Sequence, residues 1–431
     1  MKKDNLLYWI WLSEACGPKT QNIGYLCERF QDPFDVYRLE DDELSCLEDV
    51  HPIVRERLSD KSLAASYEIL RYCRKQNVDI ITYADPRYPS RLRTIEDPPV
   101  LLYCLGTFPD MNNHLCVGMV GTRRMSEYGK QTAYRIAYEL ASARTIVVSG
   151  MALGVDAVAA SAALEAGGST VAVLGCGVST VYPKEHKRLM RAIAKRGAVV
   201  TEYPPTAKPD GAHFPRRNRI ISGLCQGTLI IEGDMSSGAL ITAKHAIAQG
   251  RELFALPGNV DEPNAEGPND LIRKGTHVAL SSDDILCFYD FLYHDVLDFG
   301  ALTAAKRTSA LSDDVLRRYG VAWRGEKGKK AAKSSEKPDR NPKIKEQAVA
   351  PKEPEHAEAQ EPIHPDKSEQ LLASVDATTR QVFEKMPTDR AVTADQLAAE
   401  GIDIGDVITA LTLLEIVGLV QTLPGSMYIR K

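Results

Sequence analysis

Hydrophobic residues between positions 115 and 290 gather into short uninterrupted runs instead of alternating with polar ones. Seven such runs, rich in Val, Ile or Leu and mostly ending at Gly or Pro, are CVGMVG, TIVVSG, STVAVLG, AVVTEYP, GTLIIEG, ELFALPG and HVALS. Strands that are buried on both faces have continuous apolar runs, and the segments between these runs are long enough for helices. The pattern therefore predicts an α/β fold whose core, residues 115–290, is a doubly wound, Rossmann-like parallel sheet.

A small helical domain is predicted for residues 1–75, where apolar residues such as Leu7 and Trp11 recur at helical spacing. It resembles a helix-hairpin-helix or SAM-like module, which suggests either a grip on DNA phosphates or a packing role. The acidic residues of positions 40–43 favour the packing role. Residues 76–114, which are rich in proline, are expected to be a connector.

The C-terminal third divides into a linker and a last domain. Residues 291–368 are expected to be an extension and a disordered linker, because positions 324–367 hold almost no large apolar residue. Nine Lys or Arg against three Asp or Glu lie in 324–345, so this half of the linker is either a solvated tether or a weak DNA contact.

Residues 369–431 are predicted to form a winged helix, since three helical runs precede the strand-like SMYIR. Winged helices commonly bind DNA, but no Lys or Arg occurs from Ala391 to Ile429. Contacts to phosphates dominate non-specific DNA affinity, and this segment offers no cation to make them. We therefore expect the winged helix to contact protein or to serve regulation.

The overall composition excludes several classes of protein. The chain has 431 residues, a formal net charge of −5 and no apolar stretch near the roughly 20 residues of a membrane span. Its nine cysteines form no C-x-x-C pair, which argues against a zinc site or a disulfide framework. We expect a cytoplasmic protein of two or three domains with reduced thiols and no bound metal.

Candidate chemistry lies in the turns that follow the predicted strands. Ligands of open parallel sheets bind beyond the carboxyl ends of the strands, and small residues there let backbone N–H groups approach phosphates. Gly121 to Gly129 does not have the spacing of an ATP-binding P-loop, and GCGVST lacks the third glycine of a dinucleotide fingerprint. The sequence thus predicts a phosphate-binding rim without a nucleotide cofactor.

Residues 184–219 reverse the charge of the chain, with ten Lys or Arg against three Asp or Glu. Arg216, Arg217 and Arg219 open a predicted helix, where cations oppose the helix dipole and gain no local stability. Phe214 beside them offers a face on which a base can stack. The alternative is that Phe214 belongs to the core and that some of these arginines pair with internal carboxylates.

Several strings together resemble the DNA-processing protein A family, also called Smf. They are GTRRMSEYG, VVSGMALGVDAVAASAAL, VLGCGVSTVYPKEH, HFPRRNRIISGL, IIEGDMSSGALITAKHAIAQGRELFALPG and GPNDLIRKG. The resemblance implies a homodimer that binds single-stranded DNA without sequence specificity and loads the RecA recombinase onto it during natural transformation and recombination. It also implies a DNA pocket formed by Arg123, Ser149, Gly150, Lys184, Phe214, Arg217, Asn218 and Arg219.

Two departures and one rival interpretation qualify this hypothesis. The family usually has a basic residue where this chain has Leu153 and a histidine where it has Ala160, so one phosphate contact is lost. The rival is an enzyme similar to the nucleoside-monophosphate phosphoribohydrolases, which also hold phosphates in glycine loops. Glu202 and Glu232 are the available acids, and each is more simply a hydrogen-bonding partner of its loop. We therefore expect no enzymatic activity.

Overall fold

Each of the seven apolar runs forms a strand in the computed structural model, which describes residues 5–17, 23–30, 32–311, 313–321, 377–387, 392–398, 402, 404–416, 419–423 and 427–430. The chain divides into two units, Met1–Ala331 and Ala332–Lys431. The strands of the first unit are β1 (Asp79–Thr82), β2 (Leu101–Gly106), β3 (Cys116–Val120), β4 (Ile146–Ser149), β5 (Thr170–Val173), β6 (Ala198–Thr201), β7 (Gly227–Ile230), β8 (Glu252–Ala255) and β9 (His277–Val278).

Sixteen helices of the described residues accompany these strands. They are α1 (Leu6–Cys16), α2 (Ile23–Arg29), α3 (Pro33–Tyr37), α4 (Asp41–Ser45), α5 (Pro52–Ser59), α6 (Ala64–Gln76), α7 (Ser90–Arg93), α8 (Glu127–Ser142), α9 (Val155–Glu165), α10 (Lys187–Arg196), α11 (His213–Gly223), α12 (Gly238–Ala248), α13 (Glu266–Arg273), α14 (Ser282–Tyr293), α15 (Phe299–Ala305) and α16 (Asp313–Tyr319). Two 3-10 turns, Lys184–His186 and Pro263–Ala265, precede α10 and α13.

The sheet has the order β1-β2-β6-β5-β4-β3-β7-β8-β9, and all pairs from β6 to β9 are parallel. From β3, the strands β4, β5 and β6 follow one another on one side of the sheet, and β7, β8 and β9 follow one another on the other side. Because βαβ crossovers are right-handed, this reversal puts the helices of the two halves on opposite faces of the sheet. The doubly wound, Rossmann-like prediction is confirmed, and the sheet changes direction between β3 and β7.

The segment 76–114, expected to be a connector, contains β1 and β2. β2 pairs antiparallel with β6, and β1 pairs antiparallel with β2, so both extend the sheet beyond its parallel part. The N-terminal helices pack on this extension, since α1 contacts both strands and α6 contacts β1. Trp9 and Leu12 of α1 are buried in the same hydrophobic core as the sheet.

The second unit has the elements of a winged helix. They are α17 (Ala377–Lys385), β10 (Val392–Thr393), α18 (Ala394–Ala398), α19 (Ile404–Ile416), β11 (Val420–Leu423) and β12 (Met427–Arg430). Its strands form a small antiparallel sheet in the order β10-β12-β11 over a core that includes Val382, Leu397 and Leu411. The predicted linker, residues 324–367, lies outside the described residues.

Neither unit offers a membrane span, because none of the helices in the described ranges is both long and apolar enough to cross a bilayer.

Candidate nucleic-acid interface

A pocket of about 740 Å³ opens at the carboxyl ends of β3 and β7, where the direction of the sheet reverses. Ligands of doubly wound folds bind in the crevice at this switch point. Its lining includes Gly121, Thr122, Arg123, Arg124, Ala152, Asp156, Tyr182, Phe214, Arg217, Asn218, Asp234, Ser236, Ser237 and Gly238. A smaller recess of about 40 Å³ adjoins it and reaches Gly150, Gly175 and Pro183.

The turn after β3 carries two exposed cations over the pocket, Arg123 and Arg124. Glu232, which follows β7, fixes this turn. Its backbone oxygen accepts a 2.7 Å hydrogen bond from the Thr122 amide. The Glu232 carboxylate accepts hydrogen bonds from the Ser126 amide, at 2.8 Å, and from its hydroxyl. Glu232 therefore holds the loop at the start of α8 and leaves Arg123 free to face the solvent.

Ser149 is the last residue of β4, and Gly150 follows it at the recess beside the pocket. The Ser149 hydroxyl donates to the Met119 carbonyl at 2.7 Å and is buried, so it points into the sheet and not into the pocket. The Gly150 amide donates to Asp156 Oδ2 at 3.1 Å. A Cβ at Gly150 would lie 2.4 Å from Arg217 Nη2, which explains why only glycine fits here without a shift of that guanidinium.

Two aromatic rings stand together at the lip of the pocket. The rings of Phe214, on α11, and Tyr182, in the loop after β5, have their centroids 5.0 Å apart at an interplanar angle of 38°. The Phe214 ring also covers Gly175, where a Cβ would come within 2.9 Å of it. Phe214 is half-buried and Tyr182 is 39% exposed, so the pair presents an accessible aromatic face. Sequence reasoning did not assign Tyr182 to the site.

Arg217 is buried in the pocket wall, with 5% of its surface exposed. Its Nη1 donates to the Gly150 carbonyl at 2.9 Å and to the Val173 carbonyl, which ties α11 to the ends of β4 and β5. Burial lowers the pKa of Arg217, and the Asp156 carboxylate opposes that shift. Burial likewise raises the pKa of Asp156, and Arg217 opposes it, so each charge supports the other in the wall.

Arg219 lies on the far side of α11 and is paired internally. Its guanidinium donates to both carboxylate oxygens of Glu202, at 2.9 and 2.7 Å, and to Asp97 Oδ2 at 3.2 Å. Burial alone would lower the pKa of Arg219, but the carboxylates of Glu202 and Asp97 raise it above its usual value. Arg216 also pairs with Asp97.

The eight residues predicted for the site thus fall into three groups. Arg123, Phe214, Arg217 and Asn218 line the main pocket, and the Asn218 amide donates to the Gly238 carbonyl at 3.2 Å, which joins α11 to the start of α12. Gly150 lines the adjoining recess, and Lys184 is exposed just beyond it. Ser149 and Arg219 line neither cavity and form the support beneath.

The fold and this site define a protein with a mostly parallel α/β core, a switch-point pocket of cations and aromatic rings, and a C-terminal winged helix. Family models agree with each part. The model described as DNA recombination-mediator protein A matches residues 79–290, and the DprA winged helix domain matches residues 365–426.

Individual relatives give the same result. The chain is 39% identical over 217 residues to DNA processing protein DprA of Bacillus subtilis, which covers 50% of this chain and 73% of the relative. It is 30% identical over 437 residues to Protein Smf of Synechocystis, which covers the whole of both chains. The X-ray structure of DprA from Streptococcus pneumoniae is 32% identical with a TM-score of 0.56, over 65% of this chain and 97% of that one. The chain belongs to the DprA/Smf family of DNA-processing proteins.

Proposed function

We propose that the switch-point pocket binds single-stranded DNA without sequence preference. The observation that carries the proposal is the aromatic pair, Phe214 and Tyr182, beside the exposed Arg123. Aromatic rings stack any base, and arginines meet phosphates of any sequence, so this combination gives affinity without readout of base edges. A duplex keeps its bases stacked inside, where these rings do not reach them.

The pocket is also suited to phosphates on its other side. Ser237 caps α12, and its hydroxyl accepts from the Ala239 amide at 3.3 Å. The N-terminus of an α-helix carries a partial positive charge and favours anions. Together with Arg123 and Arg124 this helix end gives the pocket a positive rim, although Asp234 stands in it.

The first experiment measures the fluorescence anisotropy of a labelled single-stranded oligonucleotide and of its duplex over a salt series. We expect tight, salt-dependent binding that prefers the single strand. Phe214→Ala should weaken it by about 1–3 kcal/mol, the worth of one base stacked on an aromatic ring, and Phe214→Tyr should restore most of the loss. Equal binding by wild type and Phe214→Ala would show that the Phe214 ring takes no part in binding DNA.

A second experiment, an assay for free base released from a nucleoside monophosphate, separates binding from catalysis. The two acids that the sequence offers for hydrolysis are occupied, Glu232 by the loop at α8 and Glu202 by Arg219. The two carboxylates that line the pocket, Asp156 and Asp234, accept hydrogen bonds from the Gly150 amide and from Ser236. We infer that the pocket performs no N-glycosidic hydrolysis. Release of free base from a nucleoside monophosphate, together with no binding to single strands, would overturn both inferences.

We further propose that the protein works as a homodimer. Helix α14 and the turn between it and the edge strand β9 expose large apolar side chains. They are Leu280, Phe288, Phe291 and Leu292, which are 57%, 45%, 95% and 70% exposed. Contiguous apolar patches of this kind mark protein interfaces. Phe291→Asp should halve the mass measured by sedimentation, while Tyr67→Asp, at an exposed aromatic of α6, should not change it.

The delivery of the bound strand to RecA is the final step of the proposal, and it rests on the family resemblance. We expect the protein to speed the RecA ATPase on DNA coated with single-strand-binding protein. Phe214→Ala should lose this effect in proportion to its lost affinity. An effect that Phe214→Ala leaves intact would separate RecA delivery from the pocket.

A further inference from the structure

Helix α10 carries a basic outer face that the pocket does not use. Its sequence, KRLMRAIAKR, has five cations and no acid in ten residues. The inward residues Leu189, Met190 and Ile193 are buried, and the helix packs on β2, β5 and β6. The outward residues are all exposed, and they are Lys187, Arg188, Arg191, Lys195 and Arg196.

Local stability does not account for this face. Lys187, Arg191 and Lys195 follow one another at intervals of four residues, and like charges at that spacing destabilise a helix by about 0.2–0.5 kcal/mol a pair. Lys187 also stands in the first turn, where the helix dipole disfavours a cation. Within the described part of the chain, none of these three has an ion pair with a carboxylate.

The arginines of α11 differ from the cations of α10 in their partners. Of its three arginines, Arg216 and Arg219 pair with carboxylates and Arg217 is buried against backbone carbonyls. The cations of residues 184–219 are therefore largely paired or buried on α11 and largely exposed on α10.

The chain connects this face directly to the pocket. Tyr182 lines the pocket and Pro183 lines its recess, and the chain passes from them through the turn Lys184–His186 directly into α10. The helix is about 15 Å long, since each residue adds about 1.5 Å. Along the chain, Tyr182 of the aromatic pair is therefore followed by Lys184 and then by the outer face of α10.

We propose that the outer face of α10 is a second DNA contact, along which a single strand held in the pocket continues. The proposal rests on the proposed function. The face offers cations and no exposed aromatic ring, so it binds the phosphate backbone and no bases. Lys187, Arg191 and Lys195 are spaced by about 6 Å along the helix axis, so that each meets one phosphate of an extended strand.

The test is the length dependence of the affinity. Labelled oligothymidylates of about 5 and about 15 nucleotides span the site sizes known for single-strand binders. The triple variant Lys187→Ala, Arg191→Ala, Lys195→Ala should bind the short strand like the wild type. For the long strand we expect at least a tenfold loss and a salt slope reduced by about 2, because each phosphate contact to a single strand contributes about 0.7.

The matched control removes the same charge elsewhere, by Arg71→Ala, Arg74→Ala and Lys75→Ala at exposed positions of α6. It should leave both affinities unchanged. Both triple variants should unfold in urea at the wild-type midpoint or above it, because alanine favours helices.

Three results would overturn the proposal. They are an unchanged affinity of the α10 variant for the long strand, an equal loss on the short strand, and a loss confined to duplex DNA. Each of these results would still agree with single-strand binding by the pocket. Failure of the wild type to bind either strand would instead overturn the proposed function and its extension together.

Discussion

The exposed rim of the pocket and its buried wall carry the same residue type for different purposes. Arg123 and Arg124 on the rim face solvent, while Arg217 in the wall donates to backbone carbonyls and Arg219 behind it pairs with two carboxylates. A buried guanidinium that loses its partners is strongly destabilising, whereas an exposed one is nearly neutral for stability. The difference teaches that a cluster of arginines in a sequence combines binding residues with structural ones, and that stability and binding measurements separate them.

The largest expected effect is on stability, at Arg219. Arg219→Ala removes the partner of the largely buried Glu202 carboxylate and leaves Asp97 with Arg216 alone, and breaking a buried ion pair typically costs about 3–5 kcal/mol. Urea unfolding should show a loss of this size. Arg188→Ala, on the exposed face of α10, is the control and should stay within about 0.5 kcal/mol of wild type. A fall in the free energy of unfolding of less than 1 kcal/mol for Arg219→Ala would mean that the ion pairs of Arg219 with Glu202 and Asp97 do not hold α11 in place.

The second prediction concerns the fit between Gly150 and Arg217. Gly150→Ala places a methyl group 2.4 Å from Arg217 Nη2 and forces the guanidinium to shift, and such overpacking costs about 1–3 kcal/mol. The single-strand affinity should fall as well, because Arg217 lines the pocket. The matched control is Gly211→Ala on the pocket edge, where a Cβ has no neighbour within 4 Å. If both variants behave alike, the close approach of Gly150 to Arg217 is unimportant.

The third prediction concerns Arg123 on the rim, whose substitution should lower DNA binding without lowering stability. Arg123→Ala should leave the urea midpoint unchanged, lower the single-strand affinity equally for all sequences and reduce the salt slope by about 0.7. Arg217→Ala should instead lose stability together with affinity, since it ties α11 to two strands. An Arg123 variant with an unchanged salt slope would show that this side chain meets no phosphate.

The fold was accessible from the sequence where burial leaves a simple pattern. β3 to β8 lie within continuous apolar runs, and five of them, β3 to β7, are buried along their whole length. β1 and β2 were missed because the prolines around them indicated a connector, although β2 lies in a continuous apolar run like those of β3 to β8. The sequence also shows no sign that α1 shares the core of the sheet.

The site was accessible only in part, because partners distant in the chain decide what each cation does. Asp97 lies 122 residues from Arg219, and nothing local in the sequence connects them. Tyr182 was missed for a similar reason, since its role depends on Phe214 from another loop. The alternative that some arginines pair internally holds for Arg216 and Arg219, while Phe214 remains at the lip.

The smallest effect is expected at His186, where the rim meets α10. His186 is buried, its Nδ1 lies 3.0 Å from the Met151 carbonyl oxygen, and its Nε2 has no hydrogen-bond partner among the described residues. Burial lowers the pKa of His186, against the smaller effects of that hydrogen bond and of Glu185 and Asp156. The folded protein therefore holds this ring neutral at a pH where the unfolded chain already takes up a proton.

The sign of the pH dependence follows from this. Above the unfolded pKa of about 6.5 the ring is neutral in both states, and its contribution to stability is complete. As the pH falls from 6.5 toward the lower folded pKa, the unfolded state gains protons first, so the free energy of unfolding declines, by at most about 1.4 kcal/mol per pH unit for one group.

His186→Asn, whose amide can still donate to Met151, should flatten this decline. His245, whose pKa burial also lowers, contributes a second decline, so His245→Asn serves as the comparison. An identical slope in wild type and His186→Asn between pH 6.5 and 5 would show that His186 is not held neutral, and that the junction of rim and α10 tolerates a charge.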